Sequence, residues 1–109
     1  MAVWAVEPLN DSVEAELLAL PTDMQARFLR IAELIETFGP HQVGMPHVRP
    51  LRDKLWEMRL TGKSGIGRAI YVAAAGRRLV ILHAFVKKTE KTPKRAIDTA
   101  LARLKATSS

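Results

Sequence analysis

Three consecutive strand-like segments joined by two short turns constrain the fold of this chain more than any other feature. In Leu55–Leu60 apolar and charged side chains alternate, which is the period of a half-buried strand. Turns containing glycine at 61–65 and 75–77 lead into two further runs, 66–75 and Leu79–Val86, that are rich in Val, Ile and Ala. Strands joined by turns this short pair antiparallel. The segment therefore predicts a three-stranded antiparallel meander.

The remaining regular elements are a short strand and three helices. We predict a strand at Ala2–Glu7, a helix from Asn10 or Asp11 to Leu20, a second helix from Thr22 or Asp23 to Phe38, and a closing helix that begins at Thr92-Pro93. The second helix has one apolar stripe, formed by Met24, Phe28, Ile31, Ile35 and Phe38. Residues 39–54 predict a loop because Gly and Pro recur along them.

The order β-α-α-β-β-β-α indicates an α+β fold with an antiparallel-rich sheet and helices packed on one face. The chain has 109 residues, so we expect a single domain, 1–109. If Trp56, Met58 and Leu60 pack under the helices, Glu57 and Arg59 must lie on the other face of the sheet. Arg68 and His83 are expected to join them there. A charged hollow would result.

Charge is segregated along the chain. Residues 1–46 have a net charge of −5, whereas residues 47–95 have a net charge of +10, within a total of +6. The cations are densest where the last strand ends, at Lys87, Lys88 and Lys91. A basic surface of this kind favours an anionic partner, and nucleic acid is the first candidate.

Composition excludes several classes of protein. The chain has no cysteine, so disulfides, thiolate metal sites and cysteine nucleophiles are excluded. The histidines at 41, 47 and 83 do not have the spacing of metal ligands, and we expect no metal. No apolar run approaches the roughly 18 residues of a membrane-spanning helix, and the first residues do not resemble a secretory signal. We expect a cytoplasmic protein with no membrane partner.

Three motifs carry a resemblance to a known family. They are Leu-Trp-Glu-Met-Arg-Leu at 55–60, Gly-Arg-Ala-Ile-Tyr at 67–71, and His-Ala-Phe-Val-Lys-Lys-Thr at 83–89 followed by Thr92-Pro93. Together they resemble the RelE/ParE superfamily of bacterial toxins, and more narrowly its HigB-like, phage-derived Gp49-like branch. The resemblance covers roughly residues 3–106 and implies a RelE-like fold, similar to that of microbial ribonucleases.

The resemblance implies a metal-independent endoribonuclease, the toxin of a type II toxin–antitoxin system, that cuts mRNA on the ribosome and inhibits translation. In that reaction the RNA 2′-hydroxyl attacks the adjacent phosphate and leaves a 2′,3′-cyclic phosphate and a 5′-hydroxyl. Such chemistry needs a base, a proton donor and cations that stabilise the charge on the phosphorane. It needs no cofactor.

The candidate catalytic residues are Arg68, His83, Lys87 and Glu57. Arg68 matches the strand arginine of the family and is predicted to stabilise phosphate, with an ion pair to Glu57 as the alternative. His83 is either a base or acid, because imidazole titrates near neutrality, or a structural histidine. Glu57 is either a base or the residue that orients Arg59, and we favour orientation.

A second set of cations is predicted to bind RNA or phosphate: Arg59, Lys54, Lys88, Lys91 and Arg52. Lys87 shares this role and could also transfer a proton. Solvated surface residues without function are the alternative for the lysines. Tyr71 has the parity opposite to Arg68 and is expected in the core. The chain lacks the tyrosine found near the C-terminus of RelE itself.

The partners implied by the resemblance are a HigA-like helix-turn-helix antitoxin, mRNA and the ribosomal A site, with operator DNA bound only through the antitoxin complex. We expect an acidic or amphipathic antitoxin segment to cover the basic face or to displace the closing helix. Two competing hypotheses remain open. One is a ParE-like DNA gyrase inhibitor that acts by protein binding, and the other is an inactive nucleic-acid-binding module.

Overall fold

Five strands and three helices make up the part of the chain that the computed structural model describes, residues 4–40, 43–44, 47–87 and 91–108. In chain order they are β1 (Ala5–Pro8), α1 (Asp11–Leu18), α2 (Thr22–Phe38), β2 (Val48–Pro50), β3 (Trp56–Gly62), β4 (Gly65–Ala74), β5 (Arg78–Lys87) and α3 (Lys94–Ser108). The strands form one sheet in the order β1-β5-β4-β3-β2. β1 runs parallel to β5, and the other neighbours are antiparallel. The α+β class and the predicted meander, β3 to β5, are confirmed.

One face of the sheet, the α1–α2 face, carries the larger apolar core. The strands contribute Met58, Leu60, Ala69, Tyr71, Leu79 and Ile81 to it. The helices contribute Val13, Met24, Ile31 and Ile35. Tyr71 is 3% exposed, as expected of a core residue, and burial raises the pKa of its hydroxyl. The alternation in β3 therefore places Met58 and Leu60 under the helices as predicted, whereas Trp56, at the start of the strand, is 40% exposed.

Close contacts fix the first turn of α2 against the β3–β4 hairpin. A Cβ atom added to Gly67 would lie 2.9 Å from Met24 Sδ, so only glycine fits beneath this helix without displacement. Asp23 accepts a hydrogen bond from the backbone N–H of Lys63 at 2.7 Å, which ties the helix to the turn. A Cβ atom on Gly62 would meet the same carboxylate at 2.8 Å.

The opposite face of the sheet, the α3 face, is covered at one end by α3. Its apolar side chains are Leu55, Ile70, Val72, Val80 and Leu82, which pack on Ala96 and Ala100 of the helix. The expectation that all helices pack on one face is therefore wrong for α3. β4 and β5 are apolar on both faces over this length, so their sequence does not show which face a helix covers. A register shift after Ile70 also breaks the simple alternation between the two strands.

Three local expectations differ from the structure. β2 lies within residues 39–54, which were predicted to be a loop. It is an edge strand, and an edge strand tolerates a proline such as Pro50. Pro21, rather than Thr22 or Asp23, occupies the N-cap of α2 and makes no side-chain cap. Phe38, at the end of the predicted stripe, is 62% exposed.

The other helix ends follow the sequence more closely. Asn10 caps α1, since its side chain accepts a hydrogen bond from the Val13 N–H at 3.0 Å. The closing helix begins at Lys94, just after the predicted Thr92-Pro93 start, and the Thr92 side chain is used elsewhere. No helix in the described ranges is both long enough and apolar enough to cross a membrane.

Candidate active site

On the α3 face, charged side chains lie beside and beyond the apolar patch that packs on α3. Residues paired directly across antiparallel strands project to the same face, so the register arranges them in rows. The rows are Glu57–Ile70–His83, then Arg59–Arg68–Phe85, then Thr61–Ile66–Lys87. We call these rows the charged end of the α3 face. The register agrees with the prediction that Glu57, Arg59, Arg68 and His83 share one face.

Glu57 lies at the centre of a buried ion-pair network. Its Oε1 accepts hydrogen bonds from Arg68 Nη1 at 2.6 Å and from Arg49 Nε at 2.8 Å. Its Oε2 accepts a hydrogen bond from the Thr92 hydroxyl, which also lies 3.4 Å from Arg49 Nη2. The side chains of Glu57 and Arg68 are fully buried. One carboxylate therefore connects β2, β3, β4 and the segment that leads into α3.

This network bears on the roles predicted for Arg68 and Glu57. The ion pair that the sequence left open as the alternative for Arg68 is present. A fully buried guanidinium is not presented to solvent, so this arrangement does not offer Arg68 to a phosphate. Among the described residues, Glu57 bonds to Arg68, Arg49 and Thr92 and not to Arg59. Both side chains are therefore buried members of the charged end, and their ion pair joins β3 to β4.

Arg59 lies directly across from Arg68 but is partly exposed. Its Nε atom is buried and makes no hydrogen bond with the described residues. Like charges placed opposite each other on neighbouring strands are destabilising unless an anion offsets them. Glu57 supplies one negative charge beside Arg49, Arg59 and Arg68, so these four side chains carry a net positive charge that favours an anion.

A groove of about 480 Å³ opens between β5 and the start of α3. We call it the β5–α3 groove. It is lined by His83, Phe85, Val86, Lys87, Pro93, Arg95, Ala96 and Thr99. The rings of His83 and Phe85 stack with centroids 4.9 Å apart. Among the described residues, the lining therefore combines an imidazole, two cations and an aromatic ring, and none of these residues carries a carboxylate.

The structure brings some of the predicted cations to this groove and not others. Lys87 lines it, as does Arg95, which sequence reasoning did not single out. Lys91 is exposed in the segment between β5 and α3. Lys88 lies outside the described residues.

Lys54 and Arg52 are exposed in the turn that precedes β3, at the other end of the sheet. Arg52 lies 3.7 Å from Asp53. Lys87 is level with Thr61 through the register, near the end of β3. Five residue steps separate Thr61 from the start of the strand at Trp56, which is about 17 Å of extended chain. Neither Lys54 nor Arg52 is among the residues that line the β5–α3 groove.

Two residues that the sequence did not identify, Glu16 and Arg103, contact His83. Glu16 of α1 lies 3.0 Å from His83 Nδ1 and pairs with Arg103 of α3 at 2.9 Å. Burial would raise the pKa of Glu16, but the bonds from Arg103, the Ala84 N–H and His83 together lower it to about 2. The bond to Glu16 in turn raises the pKa of Arg103. Glu16 is therefore a carboxylate at neutral pH.

A second cavity, of about 310 Å³, lies on the α1–α2 face near Trp4 and Trp56. The other described side chains that line it are apolar except for Tyr71, and burial raises the pKa of Tyr71. Among the described residues that line this cavity, none is an acid or base suited to the chemistry predicted. In the described ranges, no three His, Cys, Asp or Glu residues come together as a metal site needs. The β5–α3 groove and the adjoining charged end are the candidate active site.

Comparisons with known proteins agree on the kind of fold. The family model described as "Phage derived protein Gp49-like (DUF891)" matches residues 15–105. A solved structure, the crystal structure of an archaeal RelE–RelB complex from Pyrococcus horikoshii OT3, matches with a TM-score of 0.56 and 24% identity. The match covers 79% of this chain and 96% of that chain. The RelE-like fold is thereby confirmed. No curated protein matches the sequence.

Proposed function

The chain belongs to the phage-derived Gp49-like family, within the RelE superfamily of toxins, and from that premise we propose a specific activity. It is the toxin of a type II toxin–antitoxin system, a ribosome-dependent endoribonuclease that cleaves mRNA in the cytoplasm and so inhibits translation. The observation that carries this proposal is the β5–α3 groove, whose described lining combines an imidazole with two cations. Such a lining attracts a phosphodiester and can move a proton near neutral pH.

The reaction requires no metal ion. His83 accepts the proton of the 2′-hydroxyl as the 2′ oxygen attacks phosphorus. The bond from phosphorus to the 5′ oxygen then breaks, and Lys87 donates a proton to that leaving oxygen. The products are a 2′,3′-cyclic phosphate and a 5′-hydroxyl, and no water is consumed. Lys87 and Arg95 stabilise the negative charge that develops on the phosphorane oxygens.

The charged end extends this site toward the rest of the RNA. Arg59 is partly exposed, and its side chain has no carboxylate partner among the described residues. It is positioned to bind a phosphate that flanks the one being cleaved. Arg68 and Glu57 have a structural role, because their buried ion pair fixes the strands that carry Arg59 and His83. Lys91 is exposed and extends the positive surface toward mRNA or ribosomal RNA, and RNA binding is also proposed for Lys88, which lies outside the described residues.

The partner protein is an antitoxin. The solved relative is a complex of RelE with RelB, which supports an antitoxin for this chain also. We propose that this antitoxin is of the HigA-like helix-turn-helix type and that operator DNA is bound only through the complex. The strongly basic segment 47–95 favours an acidic antitoxin segment.

Mapping of RNA 5′ ends in cells after brief induction tests the proposal. Wild-type protein is expected to give cuts within translated messages, and His83→Gln is expected to abolish them. Lys105→Gln is the control. Lys105 is exposed near the end of α3, so this substitution removes a positive charge at a position away from the groove. DNA supercoiling is assayed on the same samples. Intact messages with lost supercoiling would overturn the nuclease and identify a gyrase inhibitor.

A further inference from the structure

The edge of β5 beside His83 is completed by side chains rather than by a strand. β1 pairs with β5 only as far as Ile81, because β1 ends at Pro8. Beyond that point Arg103 Nη1 donates a hydrogen bond to the Leu82 carbonyl at 2.8 Å. Glu16 Oε1 accepts one from the Ala84 N–H at 3.1 Å. The ion pair between α1 and α3 therefore holds the backbone on both sides of His83.

The same carboxylate determines where the proton of the His83 ring lies. The hydrogen bond between His83 Nδ1 and Glu16 Oε1 is 3.0 Å long. Glu16 is ionised at neutral pH, since its pKa is lowered to about 2, and a carboxylate can only accept. Nδ1 must then be the donor. Arg103 Nη1, 3.4 Å from Nδ1, directs its hydrogens to Glu16 and to the Leu82 carbonyl instead.

We propose that Glu16 is a positioning residue for His83, which it holds in the tautomer with the proton on Nδ1. Nε2 is then left with a free lone pair on the ring that lines the β5–α3 groove. Its chemical role rests on the proposed function, in which Nε2 takes the 2′-hydroxyl proton. As that proton arrives, the ring becomes an imidazolium whose charge Glu16 stabilises.

Among the described residues, the charged groups near His83 come from three elements. Glu16 of α1 is the negative group that contacts it, whereas Arg103 and Arg95 of α3 and Lys87 of β5 are positive. Glu16 is thus the described contact that favours the imidazolium formed during the reaction.

The spectrum of the imidazole nitrogens tests the proposal without any assay of RNA cleavage. In ¹⁵N-labelled protein above neutral pH, His83 is expected to show a protonated Nδ1 and an unprotonated Nε2, with the signals assigned by their loss in His83→Gln. Glu16→Gln is expected to shift the proton toward Nε2. Glu14→Gln, an exposed change of the same kind on α1, should leave the pattern unchanged. A wild-type pattern retained in Glu16→Gln would overturn the proposal.

Arg103→Gln provides the second variant, and it decides the matter if Glu16→Gln does not fold. It breaks the ion pair and the bond to the Leu82 carbonyl but leaves Glu16 as a carboxylate beside Nδ1. The wild-type tautomer should persist. If it changes instead, the ion pair acts only as a brace for the edge of β5, and Glu16 does not set the tautomer.

A double-mutant cycle links the tautomer to the reaction. Glu16→Gln should lower the rate of cleavage per folded molecule about tenfold, and it should have no further effect in a His83→Gln background. An equal loss in both backgrounds would show that Glu16 does not act through His83. If the wild type cuts no RNA, the proposed function fails, and the nitrogen spectrum still decides whether Glu16 positions His83.

Discussion

Two carboxylates of this protein, Glu57 and Glu16, each join separate elements through an arginine, but they lie in very different surroundings. Glu57 is fully buried and is bonded to Arg68 and Arg49. Glu16 is 25% exposed and is bonded to Arg103 and His83. Removing one partner of a buried pair leaves a charge that water cannot reach, whereas water partly replaces a lost partner nearer the surface. Similar contacts therefore join buried strands in one place, and in the other they hold a histidine that lines the β5–α3 groove.

The largest effect is expected from Glu57→Gln. The change leaves Arg68 and Arg49 without the carboxylate that they share, so unfolding should become easier by about 3–5 kcal/mol. Urea denaturation measures this loss. The control is Glu7→Gln, since Glu7 pairs with Arg78 at 2.6 Å but both side chains are largely exposed. Its cost should be below about 1 kcal/mol. Equal losses would remove the distinction between buried and exposed pairs.

Arg68→Met should cost less than Glu57→Gln, about 2 kcal/mol, although Arg68 is equally buried. After this change Glu57 keeps its bonds to Arg49 and Thr92, so the buried carboxylate remains paired. The same urea experiments give the order of the two variants. A larger loss for Arg68→Met would show that Arg68, rather than Glu57, is the centre of the network.

Glu16→Gln should change the response of stability to acid. Because the pKa of Glu16 is lowered from 4.5 to about 2, its contribution is present above pH 4.5 and is lost as the pH falls toward 2. Allowing for solvent screening, that contribution is about 2 kcal/mol. Stability curves of the wild type and the variant should therefore differ above pH 5 and converge near pH 2. A constant difference at every pH would contradict the assignment, and Glu14→Gln is the control.

The smallest effect is expected from single cations of the groove, on the salt dependence of RNA binding. Lys87→Gln and Arg95→Gln should each lower the slope of log affinity against log salt by about 0.7. Lys105→Gln should leave it unchanged. Titrations of a short single-stranded RNA at several salt concentrations give the slopes. If all three variants behave alike, RNA responds to overall charge and not to the groove.

The sequence was sufficient for the meander but not for the position of every helix. Alternation in β3 and the two glycine-containing turns are local signals, and they placed Glu57, Arg59 and Arg68 on one face. The side on which α3 packs was not predictable, because β5 is apolar on both faces and its pairing with β4 shifts near Ile70. Here tertiary packing decides what local pattern leaves open.

For the same reason, only part of the candidate site could be predicted from the sequence. Arg95 lies within the cation cluster that the sequence displays, and the structure adds its place in the groove. Glu16 and His83 are 67 residues apart, and no local pattern relates an acid on an amphipathic helix to a histidine on a distant strand. Equally, composition placed Lys54 and Arg52 in the basic segment but could not show that they lie at the other end of the sheet.

The most direct test of the account is the rate of mRNA cleavage in a reconstituted translation reaction, measured per folded molecule by capture of 5′-hydroxyl ends. The account predicts cuts in the translated region only when ribosomes are present. It also predicts at least a tenfold lower rate for Lys87→Gln and an unchanged rate for Lys105→Gln. Equal rates for the wild type and Lys87→Gln, or no 5′-hydroxyl ends from the wild type, would contradict it.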